Sequence, residues 1–240
     1  MSESLDRPID VPQLTAEEIL ARVLHRDGLM LVIDKPAGLP VHRGPKGGPN
    51  LEASFDALRF GLPRPPVLAH RLDKDTSGCL VLGRHRNATA SLGLLFKHGK
   101  ISKAYWAVVE GGPAGDEGAI DMPLGRLNAE RGWWQKVDPE GQQAVTNWKV
   151  MGRGEGLTWL ALEPVTGRTH QLRVHSSAQG WPIFGDNIYG NGPRFGEPRL
   201  HLHSREIGIP ISKNKEPVRV VAPAPEHMRE RLRACGWNGE

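Results

Sequence analysis

The chain has 240 residues, of which 38% are hydrophobic and 24% charged, and a mass of 26.4 kDa; this supplies a full core and excludes a disordered chain or a disulfide-stapled miniature. No run of about 18 uncharged apolar residues occurs, and Met1 to Asp10 lacks the basic start and apolar centre of a secretory signal, so no membrane span and a cytoplasmic home are expected. Lys and Arg exceed Asp and Glu by 31 to 27, a net charge of +4, which permits a polyanionic partner without demanding one. Cys79 and Cys235 stand in neither a CxxC nor a zinc-ribbon spacing, so neither a disulfide framework nor a cysteine metal site is supported.

In chain order, Thr15 with Glu18 three places on makes a capping box that predicts a short helix to about His25. Leu29 to Ile33 is an apolar, β-branched run that predicts a buried strand entering the Pro36-Ala37-Gly38 turn. The Gly- and Pro-rich stretch Arg43 to Asn50 is a loop, Leu51 to Phe60 and Asn87 to Lys97 have helical spacing, and Val67 to Ala69 and Cys79 to Leu82 are short apolar runs. From Ile101 the pattern turns to strands, at Ala104–Val109, Gln143–Met151, Leu157–Leu162 and Leu200–Ile209. Arg168 to Ala178 is polar but spaced for a helix, and Pro225 to Ala234 predicts a terminal helix with a basic face. The mixed order, without a βαβ repeat or internal period, predicts an α+β fold around a mainly antiparallel mixed sheet with flanking helices, in one domain.

The segment His70-Arg71-Leu72-Asp73-Lys74-Asp75-Thr76-Ser77-Gly78 is almost wholly polar and lies between two apolar runs. Carboxylates, cations and hydroxyls so close together form either a turn network or a catalytic loop on a rigid sheet, and composition leaves both open. Here the stretch from Ala69 to Arg84, AHRLDKDTSGCLVLGR, resembles the catalytic segment of the RluA-type pseudouridine synthases. Asp34 to His42 resembles that family's first motif, Lys103-Ala104-Tyr105 its Lys-x-Tyr element, and Gly167 to His175 its second charged motif. Pro182-Ile183-x-Gly185-Asp186-x-x-Tyr189-Gly190 and Leu200-His201 follow in the family's order, and such agreement over successive signatures is far more specific than any single match.

The resemblance implies a cofactor-free isomerase with a central catalytic cleft that breaks the glycosidic C–N bond of a uridine, turns the base and rejoins it through carbon. Asp73 matches the family nucleophile, which acts by covalent attack or by assisting glycal formation. Arg173 matches the arginine that pairs with it, and such a cation would keep the carboxylate ionised against desolvation. Tyr105, one of two tyrosines, matches the residue that stacks on the uracil; as a strand aromatic it could equally be core. Arg71 matches the residue that enters the space a flipped uridine leaves, which points to stem-loop or single-stranded RNA. Leu72 and Leu172 are pocket walls or plain core. Lys35, His42, Arg43, Lys46, Arg168, His170, His175 and the tail arginines are candidate phosphate contacts.

On this reading residues 1–26 are a leader with a short helix, too short for the S4-type RNA-binding module of longer relatives, and 27–240 are the catalytic domain. The chain then resembles the short members, which act on transfer RNA, large-subunit ribosomal RNA or both, as a monomer without an obligate protein partner. The pair Trp133-Trp134 replaces a more basic stretch and either stacks on unpaired bases or packs on a hairpin. Rival readings fare worse. Asp73-Lys74-Asp75-Thr76 misses the aspartyl-phosphate signature by one residue and lacks its preceding apolar strand. His170 and His175, with His201 and His203, do not share a helix face as metal ligands would. A binding protein without catalysis gains nothing from a carboxylate facing phosphate.

Overall fold

Apolar and β-branched runs of five to nine residues punctuated by glycine dictate a strand-rich chain, and the computed structural model bears this out for residues 11–44, 47–128, 133–212 and 214–239, which it describes. The described residues form an α+β protein in which the paired strands run antiparallel. They fall into two compact units, the first from the segments up to Lys103 and from Ser204 to Pro223, the second from Ala104–His203 and the segment from Ala224 onward. Each unit gathers its own apolar cluster from distant stretches of chain.

In the first unit β1 (Val23–Arg26), β2 (Met30–Lys35) and β4 (Ser77–Gly83) lie side by side, with β3 (Val67–Leu68) also on β4 and β12 (Val218–Val221) on β11 (Leu202–Ile209). Every residue of β4 is buried, so it reads as a continuous apolar run rather than an alternating one. Helix α2 (Arg86–Lys97) is capped by His85, whose ring accepts from the Ala88 amide, and it lays Leu92 on the cluster of Met30, Val32, Cys79, Val81, Ile207 and Ile209. The capping box of Thr15 and Glu18 opens α1 (Ala16–Leu20) as expected, but the chain turns at Ala21 and Val23–Arg26 becomes a strand instead of further helix. The segment read as a leader thus contributes β1, paired with β2, and a fully buried Ile19 to this unit. Residues Glu52–Leu58 form a 3-10 helix in place of the expected α-helix.

The second unit orders its strands β5 (Ser102–Glu110, from Ala104), β10 (Leu157–Pro164), β9 (Val145–Gly154) and β6 (Glu117–Asp121), beside a two-stranded sheet of β7 (Leu124–Arg126) and β8 (Gln135–Val137). Alternation along β5 decides which side faces what. Ala107 and Val109, with Tyr105, join Leu160, Leu162 and Leu172, the last from α3 (Gln171–Ala178). Val108 and Trp106 face Trp159 and the α4 (Glu226–Ala234) residues Met228 and Leu232. Tyr105 therefore shares the α3 side of its sheet. No helix among the described residues is long and apolar enough to cross a membrane.

Candidate active site

The Asp73 loop in the first unit is fixed through its backbone. Lys35, the last residue of β2, is fully buried, and its ammonium donates to the carbonyls of Pro36 (2.9 Å), Lys74 (2.8 Å) and Thr76 (2.8 Å). An ammonium has three N–H groups, so this exhausts them. Burial lowers the Lys35 pKa to about 7, against the raising fields of Asp75, Asp73 and Asp34. Lys35 was expected to touch phosphate; it instead clamps the loop from inside, because neither solvent nor RNA reaches it. Gly38 adds a second tie, donating its amide to the Lys74 carbonyl at 2.9 Å. It stands at φ +86°, and a Cβ there would come within 2.8 Å of Val11 Cγ2, so glycine is required.

His70 opens the loop. Its ring stacks on Phe96 with centroids 4.1 Å apart, and its Nε2 accepts from the Val81 amide at 3.0 Å. That acceptor role needs an unprotonated nitrogen, consistent with a pKa lowered to about 3 by burial and then by the nearby Lys103 charge. Between these anchors Arg71 is exposed, Leu72 is buried and Asp73 is half-buried. The adjacent Asp34 carboxyl is raised to about 6 by burial, which outweighs Arg22 and Lys35.

In the second unit, α3 buries six consecutive residues, Gln171 to Ser176, four of them polar. Each of the large ones has its partners. Gln171 accepts from Thr166 Oγ1 and the Arg168 amide and donates to the Val145 carbonyl and Thr146 Oγ1, which satisfies its amide completely. His175 is fully buried, with Nδ1 on Thr146 Oγ1 (2.9 Å) and Nε2 on the Met122 carbonyl (3.0 Å); burial lowers its pKa, so it is a neutral structural residue and not a phosphate contact. Arg173 is 2% exposed and donates Nε to Asp186 Oδ2 (2.8 Å) and Nη2 to Asp186 Oδ1 (2.7 Å), a bidentate fork. Asp186 is fully buried and also accepts from the Ile188 and Tyr189 amides. Burial alone would raise its pKa, but the Arg173 hydrogen bond and charge, with those amides, hold it below the usual carboxylate range.

His170 precedes α3 at φ +53°, a left-handed conformation that is strained for a side-chain-bearing residue. Its Nδ1 and the Tyr189 hydroxyl share a 2.7 Å hydrogen bond, the same hydroxyl accepts from the Gln135 amide at 2.9 Å, and the Arg173 guanidinium lies 5.4 Å from the Tyr189 ring centre. His170 is 7% exposed, so it is a buried joint and not the phosphate-facing cation expected. Arg168 is exposed, with Nε on the Gln143 carbonyl. Leu172, 7% exposed, packs in the cluster that includes Tyr105, itself half-buried. Of the other cations, His42 pairs with Glu52 at 2.6 Å and is half exposed, Arg43 is exposed, and Lys46 lies outside the described residues. Arg231 and Arg233 lie over the rings of Phe184 and Trp237.

The sequence reading brought Arg173 together with Asp73 and assigned no role to Asp186 or Tyr189. Both stood inside a quoted motif. The available signal was physical: an arginine on the inner face of a helix needs a carboxylate close by, and Asp186 follows in the same half of the chain.

Residues 29–178 match the family model described as RNA pseudouridylate synthase. The chain is 42% identical over 85% of its length to an uncharacterised RNA pseudouridine synthase of Zymomonas mobilis, covering 94% of that protein. It is 32% identical over 90% of its length to the ribosomal large subunit pseudouridine synthase C of Vibrio parahaemolyticus, covering 69% of that protein. The solved structure of human RNA Pseudouridylate Synthase Domain Containing 4 superposes with a TM-score of 0.76 at 28% identity, covering 91% of this chain and 95% of the human one.

Proposed function

Since the chain belongs to the RNA pseudouridine synthase family, whose members are isomerases converting uridine to pseudouridine, we propose that it modifies specific uridines in structured RNA, transfer RNA or large-subunit ribosomal RNA, with Asp73 as the nucleophile. The observation that carries this is the clamp of Lys35 on the carbonyls of Lys74 and Thr76, which holds the residues beside Asp73 rigidly while leaving its carboxylate half-buried. A catalytic group held on a fixed backbone meets its target without reorganisation. Arg173 supplies the positive charge that keeps Asp73 ionised, and the Asp186 fork fixes the orientation of that guanidinium. Tyr105 stacks on the uracil and helps move the proton lost from C5, Arg71 fills the place of the flipped nucleotide, Leu72 and Leu172 wall the base, and Arg168 meets a phosphate.

The reaction is balanced within one nucleotide: the C1′–N1 bond breaks, a C1′–C5 bond forms, and the C5 proton leaves while N1 gains one. No redox partner or cofactor enters it. The protein is read as a cytoplasmic monomer, and its buried, free Cys79 and Cys235 suit a reducing compartment. The test uses transfer and ribosomal RNA labelled with tritium at uridine C5 and taken from cells lacking the gene. Wild-type protein should release tritium; Asp73→Asn should release none while binding the RNA within a few-fold of wild type. Full release by that variant would refute the role of Asp73.

A further inference from the structure

Of the seven tryptophans, six are buried or half-buried and Trp133 alone is exposed, at 56%. A single exposed apolar residue is ordinary; one whose ring also meets two other aromatic rings is less so. Trp133 meets the Trp134 ring at 5.8 Å and the His170 ring at 5.3 Å, both near perpendicular. His170 is itself locked by Tyr189, whose hydroxyl also takes the amide of Gln135 in β8. The Leu127 amide donates to the Trp134 carbonyl at 2.8 Å, which ties the pair to the extension of β7. His170 stands in a left-handed backbone conformation at the start of α3, one helical turn ahead of Arg173. Among the described residues, the neighbouring elements carry exposed cations: Arg126 on β7, Lys136 on β8, which pairs with Asp138 at 3.8 Å, and Arg168 in the loop that enters α3.

We propose that Trp133 is a stacking platform for an unpaired base of the RNA beside the uridine being modified. This deepens the proposed function and rests on it. A flat ring open to water, in edge contact with Trp134 and His170 and carried on elements that also bear exposed cations, suits a nucleobase, because every base has a π face and its phosphates need positive charge. The aromatic pair that sequence left between packing and stacking thus divides the two tasks: the half-buried Trp134 packs, and Trp133 presents its surface.

The test compares wild type, Trp133→Phe and Trp133→Ala on the same tritiated RNA. Trp133→Ala should raise KM about tenfold with kcat within about twofold, and Trp133→Phe should lie between, since a smaller ring still stacks. Melting temperatures should match wild type. In a parallel titration, single-stranded oligouridylate should quench tryptophan fluorescence of the wild type more than that of Trp133→Phe. An unchanged KM in Trp133→Ala overturns the platform, as does a fall in kcat together with the melting temperature, which would make the ring a structural prop. Absence of tritium release from wild-type protein would instead sink the enzymatic reading.

Discussion

Asp186 illustrates how a single residue changes the meaning of its partner. Arg173 is buried together with a carboxylate in its own unit, and the bidentate contact fixes the direction of its guanidinium. Removing one member of such a pair leaves an uncompensated buried charge, at a cost of about 3–5 kcal/mol. Asp186→Asn should therefore lower the unfolding free energy by about that amount in urea titration, with turnover falling as well. Arg173→Met combined with Asp186→Leu should recover much of the stability, because an apolar pair of similar volume replaces a costly ionic one, yet it should remain without activity. Stability unchanged in Asp186→Asn would show that the pair contributes nothing.

At the scale of elements, the end of β2 and the loop before β4 are one device. Three carbonyls converge on the Lys35 ammonium, and two of them belong to the segment that follows Asp73. Lys35→Met removes the donors and leaves the Lys74 and Thr76 carbonyls without this partner, which should loosen the loop and lower kcat about hundredfold, the scale on which small misplacements act. KM for RNA should change little, since Lys35 is sealed from solvent. Lys35→Arg should not rescue, because a planar fork cannot replace a compact three-way donor. A large rise in KM with kcat intact would return Lys35 to phosphate binding. Helix α3 follows the same rule: its polar face is buried because Gln171, Arg173 and His175 each find hydrogen-bond partners at fixed positions.

Across the whole molecule, buried imidazoles make folding sensitive to acid. His70 titrates at about 3 and His201 at about 4, both lowered first by burial, against an ordinary value near 6.5. Below that ordinary value the unfolded chain takes up protons before the folded one does, so stability falls as pH drops from 6.5 toward 4 and is unaffected by these groups above it. Asp34, raised to about 6 by burial, works the opposite way and loses stability as pH rises from 3.8 to 6, but burial also lowers His175 and His227, so it is one group against four. Thermal melting should therefore fall between pH 6.5 and 4. His70→Gln, which keeps an acceptor for the Val81 amide, should make the decline shallower; an equally steep decline in the variant would acquit His70.

Local chemistry alone carried much of this protein. The apolar runs marked β2, β4, β5, β9, β10 and β11, the capping box marked the start of α1, and the ordered motifs marked the family, because strands, caps and motif loops are written in contiguous residues. The short strands β6, β7, β8 and β12 were not legible, since three to five residues paired at an edge leave no period to read. Tertiary structure decided which charges face inward. Lys35, His170 and His175 have the same letters whether they meet phosphate or a carbonyl, and only the folded chain brings Lys74, Tyr189 and Thr146 to them from far along the sequence. It also gave Arg173 its Asp186, because the partner of a buried charge is set by where the backbone turns and not by the spacing of residue types.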